Sequence, residues 1–363
     1  MKILFIANHL NIGGITSYLF TLTRGLKRKG HNVYVASSGG DCVAKFEKAG
    51  IRHIRAPLQT KSEVSPKIIF SFFKLNIQIK KLGIDLLQTN SRTTLVLGNL
   101  LSRSNKVAHV FTCHGFFKPK LSRKIFPCWP REVIAISQQV KEHLIYDFKL
   151  SEGKINVINN GIDTESFGDF SCRQKSRQAL GIKDDFLVGI IARLSDVKGH
   201  TYLLQAMQIV VKSFPLAKLL IVGEGKMKTK LLQEVNTLGI KQNVLFLPEV
   251  ENTKDLLAAM DVFVMPSLQE GLGLALMEAM AQGLAVVGSA VGGIKTLIQD
   301  EVNGLLVQPA DAPALSAAII KLLNNNLLRQ DLGLNARKFI TENFSKNKMV
   351  DATERAYQQC LRK

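Results

Sequence analysis

Short apolar runs, four to seven residues long and rich in Val, Ile, Leu and Phe, recur along the chain. Turn residues and longer amphipathic stretches separate them. In the first half the runs at 2–7, 32–37, 85–89, 107–112 and 133–136 predict strands. In the second half those at 186–192, 217–222, 243–247, 262–265 and 284–288 do the same. Strands this apolar are buried on both faces, and their alternation with helical segments predicts parallel sheets joined by βαβ crossovers. A chain of 363 residues exceeds what one core usually serves, so two doubly wound α/β domains are expected. The boundary falls between Asn159-Asn160-Gly161-Ile162-Asp163 and the polar stretch around 168–185. It divides the chain into 1–163 and 164–344. The amphipathic tail 345–363 is expected to pack back on the first domain.

Composition narrows the class. Hydrophobic content of 46% and charged content of 21% describe a globular protein, and no apolar run is long enough for a transmembrane helix. The opening Met1–Ala7 reads as a buried strand rather than a signal peptide, because Asn8-His9 and Gly13-Gly14 interrupt it. Five cysteines without metal spacing or even pairing fit reduced thiols in the cytoplasm. The net charge of +19 is unevenly placed: residues 1–168 hold 25 Lys+Arg against 10 Asp+Glu, and the remainder 23 against 19. Such an asymmetry points to a polyanionic partner for the first half, namely an anionic membrane, a phosphorylated glycolipid or a nucleic acid.

Candidate chemistry sits just past the expected strands, where doubly wound domains bind ligands. After strand 262–265 comes Pro266-Ser267-Leu268-Gln269-Glu270-Gly271-Leu272-Gly273, followed by a helix-favouring segment that carries Glu278. A strand, a glycine turn and a helix start form an anion site, and two carboxylates beside it suit sugar or ribose hydroxyls. Arg193 and Lys198 follow strand 186–192 and suit a diphosphate, while Gly223-Glu224-Gly225 ends the next strand as turn chemistry or part of a base pocket. In the first half, Gly13-Gly14 follows strand 2–7 and His114-Gly115 follows strand 107–112. The glycines fit either a ligand contact or a tight turn, and the histidine either a cleft-facing ring or a structural one. A nicotinamide site is disfavoured, because GxGxxG is missing and no acidic residue follows the second strand at the ribose position.

The ordered set Gly13-Gly14, His114-Gly115, Asn160-Gly161-Ile162-Asp163, Arg193-Leu194, Lys198-Gly199 and Glu270 with Glu278 resembles glycosyltransferase family 4, the retaining enzymes of the GT-B fold. Val291-Gly292-Gly293 and Asn303-Gly304-Leu305-Leu306-Val307 extend the likeness over almost the whole chain. The resemblance implies two Rossmann-like domains facing a cleft, with the first on the acceptor side and the second binding the donor. It implies donor contacts from Gly13, Gly14, Arg193, Lys198, Gly271, Leu272, Gly273 and Glu278. Arg193 and Lys198 would steady the leaving diphosphate, Glu278 would hold the ribose, Glu270 would hold the transferred sugar, and His114 would lie near sugar and acceptor. No metal and no other cofactor is expected. Lys295-Thr296 departs from the family's usual Pro-Glu after Gly-Gly-x.

The resemblance therefore implies a hexosyltransferase that takes a nucleoside diphosphate sugar, UDP-linked by preference. The acceptor would be a lipid-linked or phosphorylated glycan of the cell envelope, such as a lipopolysaccharide core. A glucan synthase, a sugar-nucleotide epimerase or a non-catalytic basic binding module are the rival readings. Two stretches bear on the acceptor side. Pro66–Lys81 fits a crossover helix or an interfacial helix with Lys74, Lys80 and Lys81 on lipid phosphates. The segment after His114 carries Lys118, Lys120, Arg123 and Lys124 among aromatics and would face an acceptor or membrane. No nucleic-acid module is visible. The expected location is the cytoplasm, peripheral on the inner face of the membrane.

Overall fold

The computed structural model describes residues 1–60, 62–63, 65–118 and 128–362. The chain forms two compact units, Met1–Gly161 with Lys346–Lys363, and Ile162–Ser345. In the first unit, β1 (Lys2–Ile6), β2 (Asn32–Ser37), β3 (Arg52–Arg55), β4 (Leu86–Thr89), β5 (Ala108–Cys113), β6 (Glu132–Ala135) and β7 (Ile155–Val157) form one sheet in the order β3-β2-β1-β4-β5-β6-β7. In the second, β8 (Leu187–Ile191), β9 (Lys218–Val222), β10 (Val244–Leu247), β11 (Val262–Met265), β12 (Ala285–Ser289) and β13 (Leu305–Val307) follow the order β10-β9-β8-β11-β12-β13. Neighbouring strands pair in parallel throughout.

Helices cover the sheets. The first unit carries α1 (Gly14–Arg28), α2 (Val43–Lys48), α3 (Pro66–Leu82), α4 (Arg92–Asn105) and α5 (Gln138–Phe148). The second carries α6 (Arg173–Ala179), α7 (His200–Ser213), α8 (Lys228–Thr237), α9 (Lys254–Ala259), α10 (Leu274–Gln282), α11 (Ile294–Leu297), α12 (Ala312–Asn324) and α13 (Asn326–Asn343). The last helix, α14 (Lys346–Arg362), belongs to the first unit.

Strand β1 shows why the sheet must be covered twice. Ile3 and Phe5 pack with Leu19, Leu22 and Leu26 of α1 and with Tyr357 of α14. Leu4 and Ile6 point the other way, into Ile68, Leu75 and Ile79 of α3 and Leu97 of α4. All four β1 side chains are fully buried, so an apolar run without polar alternation is what this position requires. The ten strands expected from the sequence are present. The edge strands β3, β7 and β13 were not expected.

Both sheets reverse direction of growth once. The chain runs from β1 out through β2 and β3 and then returns to β4 on the other side of β1. It likewise runs from β8 through β9 and β10 and returns to β11. Such switch points leave a crevice at the carboxyl ends of the strands, where ligands bind in this architecture. The loops after β1, β4, β8 and β11 therefore frame the candidate sites.

Candidate functional site

In the second unit the loops after β8, β11 and β12 are sewn together. The Leu268 N–H donates to the Val197 carbonyl at 2.8 Å, and the Gly293 N–H donates to the Glu270 carbonyl at 3.0 Å. Gly199, with φ of 71°, lies so close to the Pro266 carbonyl that an added Cβ would sit 1.8 Å from its oxygen. This packing brings Lys198 to Glu270: the Lys198 Nζ donates to Glu270 Oε2 at 2.5 Å, with side chains 20% and 12% exposed. Ser267 Oγ lies 3.4 Å from the same oxygen. The family resemblance implies phosphate for Lys198 and sugar for Glu270, and the structure adds that the two side chains pair. Arg193 lies on the same β8 loop and is exposed.

Helix α10 starts at the end of the Glu270 loop. Among the described residues no side chain caps its first turn, so its leading amide N–H groups and positive dipole end can meet an anion. Gly271 and Leu272 form the buried turn before it, and Gly273 takes the cap position. Glu278 lies further along α10 and accepts from Thr253 Oγ1 at 2.9 Å. Thr253 stands just before α9, and nothing in the sequence marks it as a partner. One carboxylate is engaged by a lysine and another by a hydroxyl, and an exposed arginine lies on the β8 loop; groups of these kinds can bind a diphosphate and hydroxylated groups. His200, at the start of α7, is 2% exposed, and among the described residues neither ring nitrogen has a partner. Burial first, and the nearby Lys198 charge second, push its pKa down to about 4.

In the first unit Gly13 caps α1 with φ of 149°, and Gly14 opens the helix, whose first turn has no side-chain cap among the described residues. His114 follows β5. Its Nε2 lies 3.2 Å from Asn90 Oδ1, and its ring meets Tyr18 edge-on at 4.6 Å between centroids. Burial pushes the imidazole pKa down to about 3, so the ring is neutral. Gln88 Nε2 donates to Asn90 Oδ1 at 3.3 Å and to Thr112 Oγ1 at 2.9 Å, which extends the network into the core. Asn8, after β1, accepts from Ser91 Oγ at 2.5 Å and donates to Thr93 Oγ1 at 3.0 Å. Asn8, Asn90 and Ser91 thus gather at the β1/β4 switch point, and sequence reading did not single them out. Their position just past apolar runs was the available signal.

The remaining candidates divide by place. Lys74, Lys80 and Lys81 are exposed on α3, and Lys118 is exposed after β5. Lys120, Arg123 and Lys124 lie outside the described residues. Lys295 is exposed on α11, directly after the Gly292-Gly293 turn that supports Glu270. Among the described residues, no group of three or more His, Cys, Asp or Glu side chains is placed to hold a metal ion.

Residues 12–166 match the family model described as Glycosyltransferase Family 4, and residues 173–339 match the one described as Glycosyl transferases group 1. A UDP-Gal:alpha-D-GlcNAc-diphosphoundecaprenol alpha-1,3-galactosyltransferase of Escherichia coli is 29% identical, over 80% of this chain and 79% of its own. The capsular polysaccharide biosynthesis glycosyltransferase CapM of Staphylococcus aureus is 25% identical, over 93% and 92% respectively. Among solved structures, Anabaena Alr3699/HepE in complex with UDP-glucose matches with a TM-score of 0.89 at 23% identity, covering 99% of this chain and 100% of that one.

Proposed function

The chain belongs to glycosyltransferase family 4 and has the GT-B fold, and on that premise we propose that it moves a hexose or N-acetylhexosamine from a UDP-sugar to a lipid-linked envelope glycan, retaining the anomeric configuration. One observation carries the reading of the second unit as donor site: Lys198 and Glu270 meet where the β8 and β11 loops pack together, with Arg193 on the same β8 loop and α10 starting at the end of the Glu270 loop. Lysine has three donors, so Lys198 can keep Glu270 and still reach a diphosphate oxygen. As the bond from C1 to the phosphate oxygen breaks, negative charge grows on the leaving diphosphate. Arg193, Lys198 and the α10 dipole stand ready to stabilise it without a metal ion. The acceptor oxygen bonds C1, and its proton leaves with the departing phosphate. Glu270 would grip the transferred sugar, and Glu278, steadied by Thr253, the ribose hydroxyls.

On the acceptor side, neutral His114 offers a hydrogen-bond acceptor to a substrate hydroxyl rather than a charge to a phosphate. The diphosphoundecaprenol acceptor of the E. coli relative supports a lipid-carried substrate. The excess of lysine and arginine in the first half supports an anionic membrane as the place of work. The test is a panel of UDP-, GDP- and ADP-sugars, read by thermal shift and by slow donor hydrolysis. A UDP-sugar raises the melting temperature, and hydrolysis continues in EDTA. Glu270→Ala and Arg193→Ala lower it by about 10²–10³. No turnover and no shift across the panel would sink the proposal.

A further inference from the structure

Helix α3 has two apolar faces, and the core covers one of them. Ile68, Leu75 and Ile79 are 0–4% exposed, whereas Ile69, Phe70, Phe73 and Ile77 are 60–68% exposed. At about 100° per residue the four exposed side chains fall within an arc of about 100°, on the side of the helix away from the buried three. Ile69, Phe73 and Ile77 are spaced i, i+4, i+8 and Phe70 lies beside Phe73, so they form one continuous patch. Phe73 also stacks edge-on against half-buried Phe72 at 5.6 Å between centroids, which steadies it. A helix between core and water needs one apolar stripe. A second, contiguous stripe marks an interaction surface.

Charge identifies its partner. Lys67, Lys74 and Lys81 recur every seven residues, all exposed, and line one border of the patch. Lys80 is exposed at its C-terminal end. The first unit, α14 included, holds 30 Lys+Arg against 10 Asp+Glu, a net +20, while the second holds 18 against 19. A second copy docking on this face would bring like charges together. A surface of acyl chains under anionic headgroups satisfies both components. Among the described residues no helix is long and apolar enough to cross a membrane, so contact is with the surface.

We propose that the outer face of α3 seats the first unit on an anionic bilayer. Ile69, Phe70, Phe73 and Ile77 enter the headgroup boundary, and Lys67, Lys74 and Lys81 lie on lipid phosphates. This surface deepens the reading of a lipid-linked acceptor and rests on that reading for its purpose; the binding itself is tested apart from catalysis.

The test is co-sedimentation of the full chain with vesicles of phosphatidylcholine, with and without phosphatidylglycerol. Binding requires phosphatidylglycerol and weakens as salt rises. Replacing Lys67, Lys74 and Lys81 together by Gln lowers the affinity about a hundredfold. The pair Phe70→Ser and Phe73→Ser lowers it by about tenfold or more. Neither variant touches the core, so each keeps the nucleotide-induced thermal shift of the parent and its donor hydrolysis. Vesicle binding indifferent to lipid charge, or unchanged in both variants, overturns the proposal. So does a dimer of the parent chain that the Phe variants return to monomer. Loss of donor turnover with α3-dependent vesicle binding intact would refute the catalytic reading and leave this one standing.

Discussion

At His114 the surroundings set the side chain's chemistry. The Asn90 amide nitrogen points at the Ile6 carbonyl at 3.5 Å, which leaves Oδ1 to accept from both Gln88 and His114. The His114 Nε2 therefore carries the proton, and Nδ1 presents a lone pair. With a pKa of about 3 the ring stays neutral through the physiological range, since protonation sets in only as pH falls toward that value. Asn90→Asp reverses the balance: a carboxylate against the ring favours imidazolium and raises its pKa. The expected result is a flat His114 contribution to kcat/KM in the parent and, in the variant, a loss of activity on the acid side between about pH 5 and 8. Histidine nitrogen shifts in NMR report the same titration directly. A variant profile that superimposes on the parent would separate Asn90 from His114. The histidine was legible in the sequence because it follows an apolar run. Asn90 was not, because its role depends on a contact 24 residues away, in the loop after another strand.

The loops behave as a unit, and that unit is made by close backbone contact. Gly293 has an ordinary φ of −67°, yet an added Cβ would lie 2.3 Å from the Gly271 oxygen and 2.4 Å from the Leu272 Cα. Gly293→Ala thus pushes on the Glu270 loop without backbone strain of its own. It should weaken UDP-sugar binding about tenfold, seen as a smaller thermal shift, with a stability loss of about 1–3 kcal/mol. Unchanged donor affinity would mean that the β12 loop does not set the site. The same contrast between local and distant information explains which strands could be read. Inner strands are apolar on both faces and announce themselves. The edge strand β3 reads Arg52-His53-Ile54-Arg55, with two exposed arginines, and β7 and β13 are three residues each. Such strands are recruited by a sheet already formed, so their own residues carry little signal.

The order of the chain does not match the order of its cores. Helix α14 comes last, yet Met349, Val350, Ala356, Tyr357 and Cys360 are 0–5% exposed within the core that β1 and α1 build. Lys29 pairs with Asp351 and Glu354, both at 2.6 Å, at the edge of that contact. A cut after Ser345 therefore strips apolar cover from α1, including Val350, whose Cγ2 lies 2.4 Å from where a Cβ on Gly25 would stand. The Ile162–Ser345 unit keeps its own buried cluster, from Val188 on β8 to Leu332 on α13, together with Arg193, Lys198, Glu270 and Glu278. The truncated chain should then unfold in two stages. The first unit would melt early and expose hydrophobic surface to a dye, while the second would melt later and still shift upward with a UDP-sugar. Calorimetry with and without nucleotide measures both. A single transition at the temperature of the parent would show that α14 is dispensable, whereas loss of the nucleotide shift would show that the donor unit needs the first to fold. In the intact chain the early transition should be missing, because the last 17-residue helix completes the core that the first strand began.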